Sequence, residues 1–209
     1  NQVTSYIRSL IRKGTLEIGA PVKEAVLSEQ LGISRAPIRE ALQVLVQEGL
    51  ITSEPQKGKH VRQMTGKEIY DSYVVAGILE GAGVAESLPL WTEANMETFR
   101  SVVRQMEGKI SYATKLDELA EIDELFHATL FMACDNTRLV EMARTSCATI
   151  SKYLYYQHWI TMFTPREYAD RHHAVAEAVY SRDVKHVETA LRDHYKETGL
   201  RMAQFGKEA

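Results

Sequence analysis

The sequence predicts a mainly α-helical chain in two parts: three short helices with a β-hairpin over residues 1–65, then an all-α bundle of about six helices over residues 66–209. Three observations predict it. Apolar residues recur at helical spacing along most of the chain, with a short extended stretch near residues 50–62 as the exception. Turn-forming residues punctuate these stretches at intervals too short for long coiled helices. Charge divides at the same place: residues 1–65 carry nine Lys/Arg and six Glu, net +3, whereas the remainder carries 16 Lys/Arg and 22 Asp/Glu, net −6. A basic piece joined to an acidic piece implies two jobs on one chain.

Tyr6, Ile7, Leu10 and Ile11 form the first helical pattern, which Gly14 and Gly19-Ala20-Pro21 interrupt. A short helix follows over Glu24 to Leu31 and stops at Gly32. Ser34 is placed to cap the next helix with its hydroxyl, and Pro37 falls in that helix's first turn, where a missing N–H does no harm. Ile38, Ala41, Leu42 and Leu45 then give a stripe at i, i+3, i+4, i+7. Leu50 to Ser53 and Lys59 to Arg62 read as extended pieces around a Pro55-Gln56-Lys57-Gly58 turn. Beyond Thr65 the pattern gives helices at Lys67–Ser87, Thr92–Lys109, Lys115–Ala133, Thr137–Thr161, Pro165–Ser181 and Val184–Gln204. Six helices in that length point to a bundle.

Composition excludes several classes. With 44% hydrophobic and 25% charged residues the chain is neither disordered nor of low complexity. Its longest apolar stretch, Tyr73 to Leu79, is far short of the ~18 residues of a membrane span, and no secretory signal follows the N-terminus. A cytoplasmic protein without membrane contact is expected. Cys134 and Cys147 lack CxxC spacing and read as free thiols. The chain starts at Asn1 without an initiator Met, so further natural N-terminal residues are expected.

Helix, helix, turn, helix, hairpin is the order of a winged helix-turn-helix, whose second motif helix enters the DNA major groove. Arg35 and Arg39 lie four apart on the opening turns of that helix, off the buried stripe, and Gln43 continues their face. A guanidinium fork matches guanine O6/N7 bidentately, or holds phosphate. Lys57 and Lys59 flank Gly58 at the hairpin tip, where a basic wing suits phosphates or the minor groove. Read alone, Arg-x3-Arg is equally a solvated charged face; the ordered set is what points to double-stranded DNA.

The run Leu31-Gly32-Ile33-Ser34-Arg35-Ala36-Pro37-Ile38-Arg39-Glu40-Ala41-Leu42, with Glu48-Gly49-Leu50-Ile51 and Gly58, closely resembles the winged-helix signature of GntR-family bacterial transcription regulators. The resemblance implies that Ser34, Arg35, Ala36, Pro37 and Arg39 lie at DNA-contacting positions, with Gly58 at the wing tip. One position departs: Ala25 stands where many members carry an arginine on the helix before the turn.

In the acidic part, four ionisable residues fall on apolar faces. Asp123 and His127 are i, i+4 on the stripe of Leu119 and Leu130, so both project to one point. His172 shares its face with Val175, Ala176 and Val179, whereas His173 aligns with Glu177 and Tyr180. His194 lies with Val187, Ala190 and Leu191. Unpartnered burial of these groups would be costly. One divalent metal would satisfy all four, and the donor set suits Zn, Mn, Fe, Co or Ni; a hydrogen-bonded Asp–His network is the alternative. His60, His158 and His186 show no such pattern and read as surface or local residues. Met142, Met162, Met202, Trp159 and Phe163 are expected in core packing more than in a pocket.

Asp123-Glu124-Leu125-Phe126-His127, then Cys134-Asp135-Asn136, then His172 and His194 twenty-two residues apart, resemble the ligand-binding (FCD) domain of the FadR-like subgroup. The resemblance implies a metal held by Asp123, His127, His172 and His194 at the base of an effector pocket, with Zn, Ni or Mn as the ion. Members often carry an arginine on the first helix of this domain, near Tyr73-Val74-Val75-Ala76, which has none. The two resemblances together imply a homodimeric repressor that binds a palindromic operator and a small organic-acid effector. Two other readings are a regulator for which the ion itself is the signal, and a metal-dependent enzyme. For the latter, Glu121 and Glu124 are near in sequence, but no general base is paired with the cluster.

Overall fold

Helix α1 (Gln2–Arg12) buries Thr4, Ile7 and Ile11 on one face, as their spacing requires. The computed structural model describes residues 2–208; Asn1 and Ala209, the outer ends of the two expected parts, lie outside the described residues. Helix α2 (Glu24–Leu31) ends on Gly32, whose φ of 62° closes the helix in the left-handed conformation glycine adopts without strain. Helix α3 (Arg35–Gln47) buries Ile38, Ala41, Leu42 and Leu45. Ser34 occupies the N-cap position of α3, but its hydroxyl makes no cap hydrogen bond, contrary to expectation. Ser34 is exposed, so the helix's first donors need no side-chain cap in a surface position. Strands β1 (Ile51–Glu54) and β2 (Gly58–Val61) pair antiparallel, from Ile51 opposite Val61 to Glu54 opposite Gly58.

Thr65 starts the second part. Its hydroxyl accepts from the Glu68 N–H at 3.2 Å while the Glu68 carboxylate accepts from the Thr65 N–H at 2.7 Å, a reciprocal cap that fixes where α4 (Gly66–Ser87) begins. The same device opens α5 (Glu93–Ile110) and α9 (Pro165–Tyr180). Helices α6 (Ala120–Leu130), α7 (Thr137–Ser146), α8 (Tyr156–Met162) and α10 (Val184–Ala203) complete the bundle.

Two expected helices are interrupted. Leu116–Leu119 form a 3₁₀ turn before α6. The stretch Thr137–Thr161 breaks after Ser146, passes through a π-helical turn at Ile150–Leu154 and resumes as α8. Side chains there compete with the helix ladder: Thr145 and Ser146 hydroxyls turn back onto the carbonyls of Glu141 and Met142 at 2.9 and 2.6 Å.

Helix α10 lies along α4 at close range. A Cβ at Gly77 would sit 2.8 Å from Tyr195 Cβ, and one at Gly199 would sit 2.8 Å from Tyr73 Cβ, so only glycine permits the approach. Residues Gly66–Leu90 are long and apolar enough to cross a membrane by length and composition, which the Tyr73–Leu79 stretch did not suggest. Here that helix is the bundle's spine and carries the buried Glu80. One apolar core joins Phe99, Phe126, Val179 and Leu191 inside the bundle. The other joins Ile7, Leu42 and Leu45 of the first part to Ile69, Leu154, Tyr155 and Met202 of the second.

Candidate nucleic-acid interface and metal centre

Burial of the α3 stripe leaves Arg35, Ala36, Arg39 and Gln43 exposed, with Ser34 exposed at its start and Pro37 half-buried. Lys57 and Gly58 are exposed at the wing tip, and Gly58 has φ +82°. Lys57 pairs with Glu54 at 2.9 Å. A residue the sequence reading passed over organises this face. The Glu24 carboxylate accepts from Arg39 Nε and Nη2 at 3.3 and 3.2 Å, and from Lys59 Nζ at 3.3 Å. One acidic side chain thus links α3 to the wing, and hydrogen bonds from Arg39 and then Lys59 hold its carboxyl below the usual range. Its position at the head of α2, among ordinary charges, gives no sequence signal.

The second site is a cavity of about 860 Å³, partly open to solvent and lined by residues of α1, α4, α6, α7, the π-helical turn, α8, α9 and α10. His127 from α6, His172 from α9 and His194 from α10 turn into it, each presenting one ligand atom within 4.8 Å of the others. Asp123 joins them through His172, with Oδ1 at 3.1 Å from Nε2. The far sides of two rings are tied down: His172 Nδ1 lies 2.8 Å from the Tyr168 carbonyl, and His127 Nδ1 lies 2.6 Å from Glu80 Oε1. Those bonds turn both Nε2 atoms away from the far sides of the rings, and that of His172 meets Asp123. His194 Nδ1 is buried with no hydrogen-bond partner among the described residues. An orphaned imidazole nitrogen beside two oriented ones and a carboxylate fits a borderline divalent cation, and no thiolate is needed.

Electrostatics agree with that fit. Burial, Arg171 and the other imidazoles pull His194 well below its usual value, and burial pulls His172 down despite Asp123, so both are neutral donors. Burial pushes Asp123 up, but its bond to His172 and the charge of His127 outweigh this and keep it ionised. Burial also pulls His127 down, yet the charge and hydrogen bond of Glu80 prevail and hold it up at about 9. The ion would replace a proton on that ring.

His173 lies on the other face and approaches Glu107 at 3.2 Å. His158 stacks on Phe205, and His186 is exposed. Both cysteines are free; Cys147 borders the cavity, and burial raises its thiol to about 12. Glu121 and Glu124 are exposed and border the same cavity, where Glu124 pairs with Lys152 at 2.9 Å. Trp159 and Phe163 do both: Phe163 belongs to the bundle core with Trp159 packed against it, and both line the cavity. Met202 is in the core, and Met142 is 45% exposed and does neither. Ala76 is buried in the α4 spine, so the missing arginine has no local substitute.

Sequence reasoning missed Glu80, Arg171 and Tyr195. Arg171 donates through Nε to Glu197 at 2.9 Å and through Nη2 to the His194 carbonyl and Thr198, and it lies over the Phe163 ring at 4.1 Å. A signal for Glu80 was present: it is the one charge between Asp71 and Glu86 on an otherwise apolar helix.

Residues 71–197 match the family model described as the FCD domain, and residues 1–61 match that of bacterial regulatory proteins, gntR family. The chain is 26% identical over 210 residues to the HTH-type transcriptional repressor RspR of Escherichia coli (strain K12), covering 99% of this chain and 90% of that protein. Two solved structures share the fold. E. coli McbR/YncC has a TM-score of 0.71 at 20% identity, covering 97% of this chain and 96% of that one. A GntR regulator from Rhodococcus sp. RHA1 has a TM-score of 0.70 at 21% identity, covering 99% and 98%.

Proposed function

This chain belongs to the GntR-family bacterial regulatory proteins that carry an FCD domain, and from that membership we propose that it is a cytoplasmic, homodimeric repressor released or recruited by a small carboxylate bound at a divalent metal. Its family consists of transcriptional regulators rather than enzymes. Residues 1–65 read the operator and residues 66–209 hold the effector. The observation that carries the proposal is the convergence of His127, His172 and His194, from three helices, on one cavity.

On DNA, Arg35, Arg39 and Gln43 read base edges from the exposed face of α3. Ser34, Ala36 and Pro37 set the helix's entry, and Lys57, Gly58 and Lys59 bring the wing to the backbone. Arg39 exchanges Glu24 for guanine or phosphate on docking. A dimer presents two such faces to a palindrome.

In the cavity, Asp123 and the three histidines would hold the ion, which would supply Lewis-acid attraction for a ligand carboxylate. Arg171 supplies the charge that Ala76 cannot. Its Nε and Nη2 are committed, and Nη1, without a hydrogen bond among the described residues, is available to a carboxylate. Coupling to DNA has a short route. The Arg12 guanidinium of α1 lies 4.0 Å from the ring centre of Tyr156, a cavity residue, and Gln157 Nε2 donates to the Arg12 carbonyl at 2.9 Å. Tyr155 OH accepts from the Met64 N–H at 3.1 Å and donates to its carbonyl at 3.3 Å, pinning the junction. A ligand that prefers one arrangement of α8 biases α1, and DNA biases ligand affinity equally.

The test is operator affinity, on DNA selected from a random library, for chelator-stripped protein, metal-loaded protein, and metal-loaded protein with a panel of small carboxylates. The expected change comes only with metal and carboxylate together. A full change with metal alone would make the ion the signal, and no change in any arm would overturn ligand control at this site.

A further inference from the structure

A carboxylate buried in the middle of an apolar helix needs a reason, because an unpartnered charge there is expensive. Glu80 is 3% exposed, and both its oxygens are engaged. Oε1 lies 2.6 Å from His127 Nδ1, and Oε2 accepts from Tyr195 OH at 2.8 Å. Its partners come from α6 and α10, while Glu80 itself is on α4, the helix that starts at Gly66, five residues after the wing ends at Val61. With its oxygens so occupied, it is not itself among the converging ligand atoms, which are those of His127, His172 and His194.

We propose that Glu80 is the positioning residue of the metal centre: it fixes His127 with its proton on Nδ1 and its Nε2 lone pair toward the ion, and it fastens α4 to the metal-bearing helices. The proposal rests on the metal reading above. Imidazole has two tautomers and a ring that turns about its bond to the chain, so an unrestrained histidine offers the right nitrogen only part of the time. A carboxylate at Nδ1 removes both freedoms and makes Nε2 a stronger donor. His172 receives the same service from the Tyr168 carbonyl at 2.8 Å, whereas His194 Nδ1 has no partner among the described residues. The ring centres of His127 and His194 are 5.3 Å apart, so a misplaced His127 would open the cluster on that side. Tyr195 OH in turn holds Glu80 from α10, one residue after His194. Metal occupancy is thereby transmitted through a single carboxylate to the helix that follows the DNA-reading part.

A buried ion pair with only a structural role would lower stability and leave metal affinity alone, which separates the two accounts. Chelator-stripped wild type, Glu80→Gln, Glu80→Ala and Tyr195→Phe are titrated with Zn²⁺ against a chromophoric chelator, and with Co²⁺ for its ligand-field spectrum. Metal-free melting temperatures are recorded beside them. Glu80→Ala is expected to lose about 10–100-fold in Zn²⁺ affinity and to alter the Co²⁺ spectrum. Glu80→Gln, which keeps the shape and a neutral acceptor, is expected to recover part of the affinity, and Tyr195→Phe to lose least. If Glu80→Ala does not fold, the near-isosteric Gln variant still carries the comparison through a smaller loss. Wild-type Zn²⁺ affinity and an unchanged Co²⁺ spectrum in a variant that melts lower would overturn the proposal and leave the metal centre standing. A wild type that takes up no metal would overturn both.

Discussion

The two halves of this chain handle charge in opposite ways. The DNA-reading part keeps Arg35, Arg39, Lys57 and Glu24 at the surface, with Arg39–Glu24 and Lys57–Glu54 as exposed or half-exposed pairs. The bundle turns Glu80, Asp123, His127, Arg171, His172 and His194 inward around one cavity. Exposed pairs contribute about 0–1 kcal/mol each and exchange partners readily, which suits a surface that must meet phosphate and bases. Groups in a low-dielectric interior interact strongly and tolerate no missing partner, about 3–5 kcal/mol being lost when one member of a buried pair is removed. The first arrangement is cheap to rearrange and the second is costly to disturb. The difference fits the proposed tasks, a surface that samples DNA sequences and a chamber that binds one ligand.

Substitutions should expose this contrast, most strongly in the chamber. In wild type, saturating metal at about a thousand times Kd should add roughly 4 kcal/mol of stability. In His194→Ala that gain should vanish, as read by melting with and without Zn²⁺; an equal gain in the variant would break the contrast. Gly199→Val, which removes no charged group, should cost about 1–3 kcal/mol by forcing Tyr73 off α10. That corresponds to a melting-temperature drop of roughly 2–4 °C per kcal/mol, and an unchanged melt would mean that the α4–α10 approach is not tight.

On the surface side, Arg39→Ala should weaken operator binding by about 1–3 kcal/mol, while stability stays nearly constant. Equal loss on operator and random DNA would make Arg39 a phosphate clamp instead of a base reader. Smallest is a pH effect. Arg39 and Lys59 depress the Glu24 carboxyl in the folded state, so its contribution is present above the ordinary carboxylate value and fades as pH falls through the lowered one. Wild type should therefore lose its advantage over Glu24→Gln, no more than about 1 kcal/mol, between mildly acidic and strongly acidic pH. An advantage that grew on acidification would contradict the pairing.

How much of this was legible in the sequence follows the same division. In the first part the information is local. Gly32 stops α2 and the stripe Ile38, Ala41, Leu42, Leu45 is fully buried, leaving Arg35, Arg39 and Gln43 outside by default. The Glu24 link was invisible because it spans 15 residues to Arg39 and 35 to Lys59. In the second part periodicity selected His172, 2% exposed, over its neighbour His173. It could not show that three helices bring their imidazoles together. Glu80 meets His127 across 47 residues and Tyr195 across 115, separations that only tertiary packing closes. The break after Ser146 escaped notice because hydroxyls returning to the backbone interrupt a helix without any glycine or proline to mark it.

Whether the chamber is a metal centre is decided most directly by elemental analysis of the untagged, dialysed protein beside His194→Ala. The account predicts about one divalent metal per wild-type chain and little in the variant. A wild type that carries none, and takes up none from added Zn²⁺, Mn²⁺ or Ni²⁺, would contradict it and leave Asp123, His127, His172 and His194 as a hydrogen-bonded, metal-free pocket.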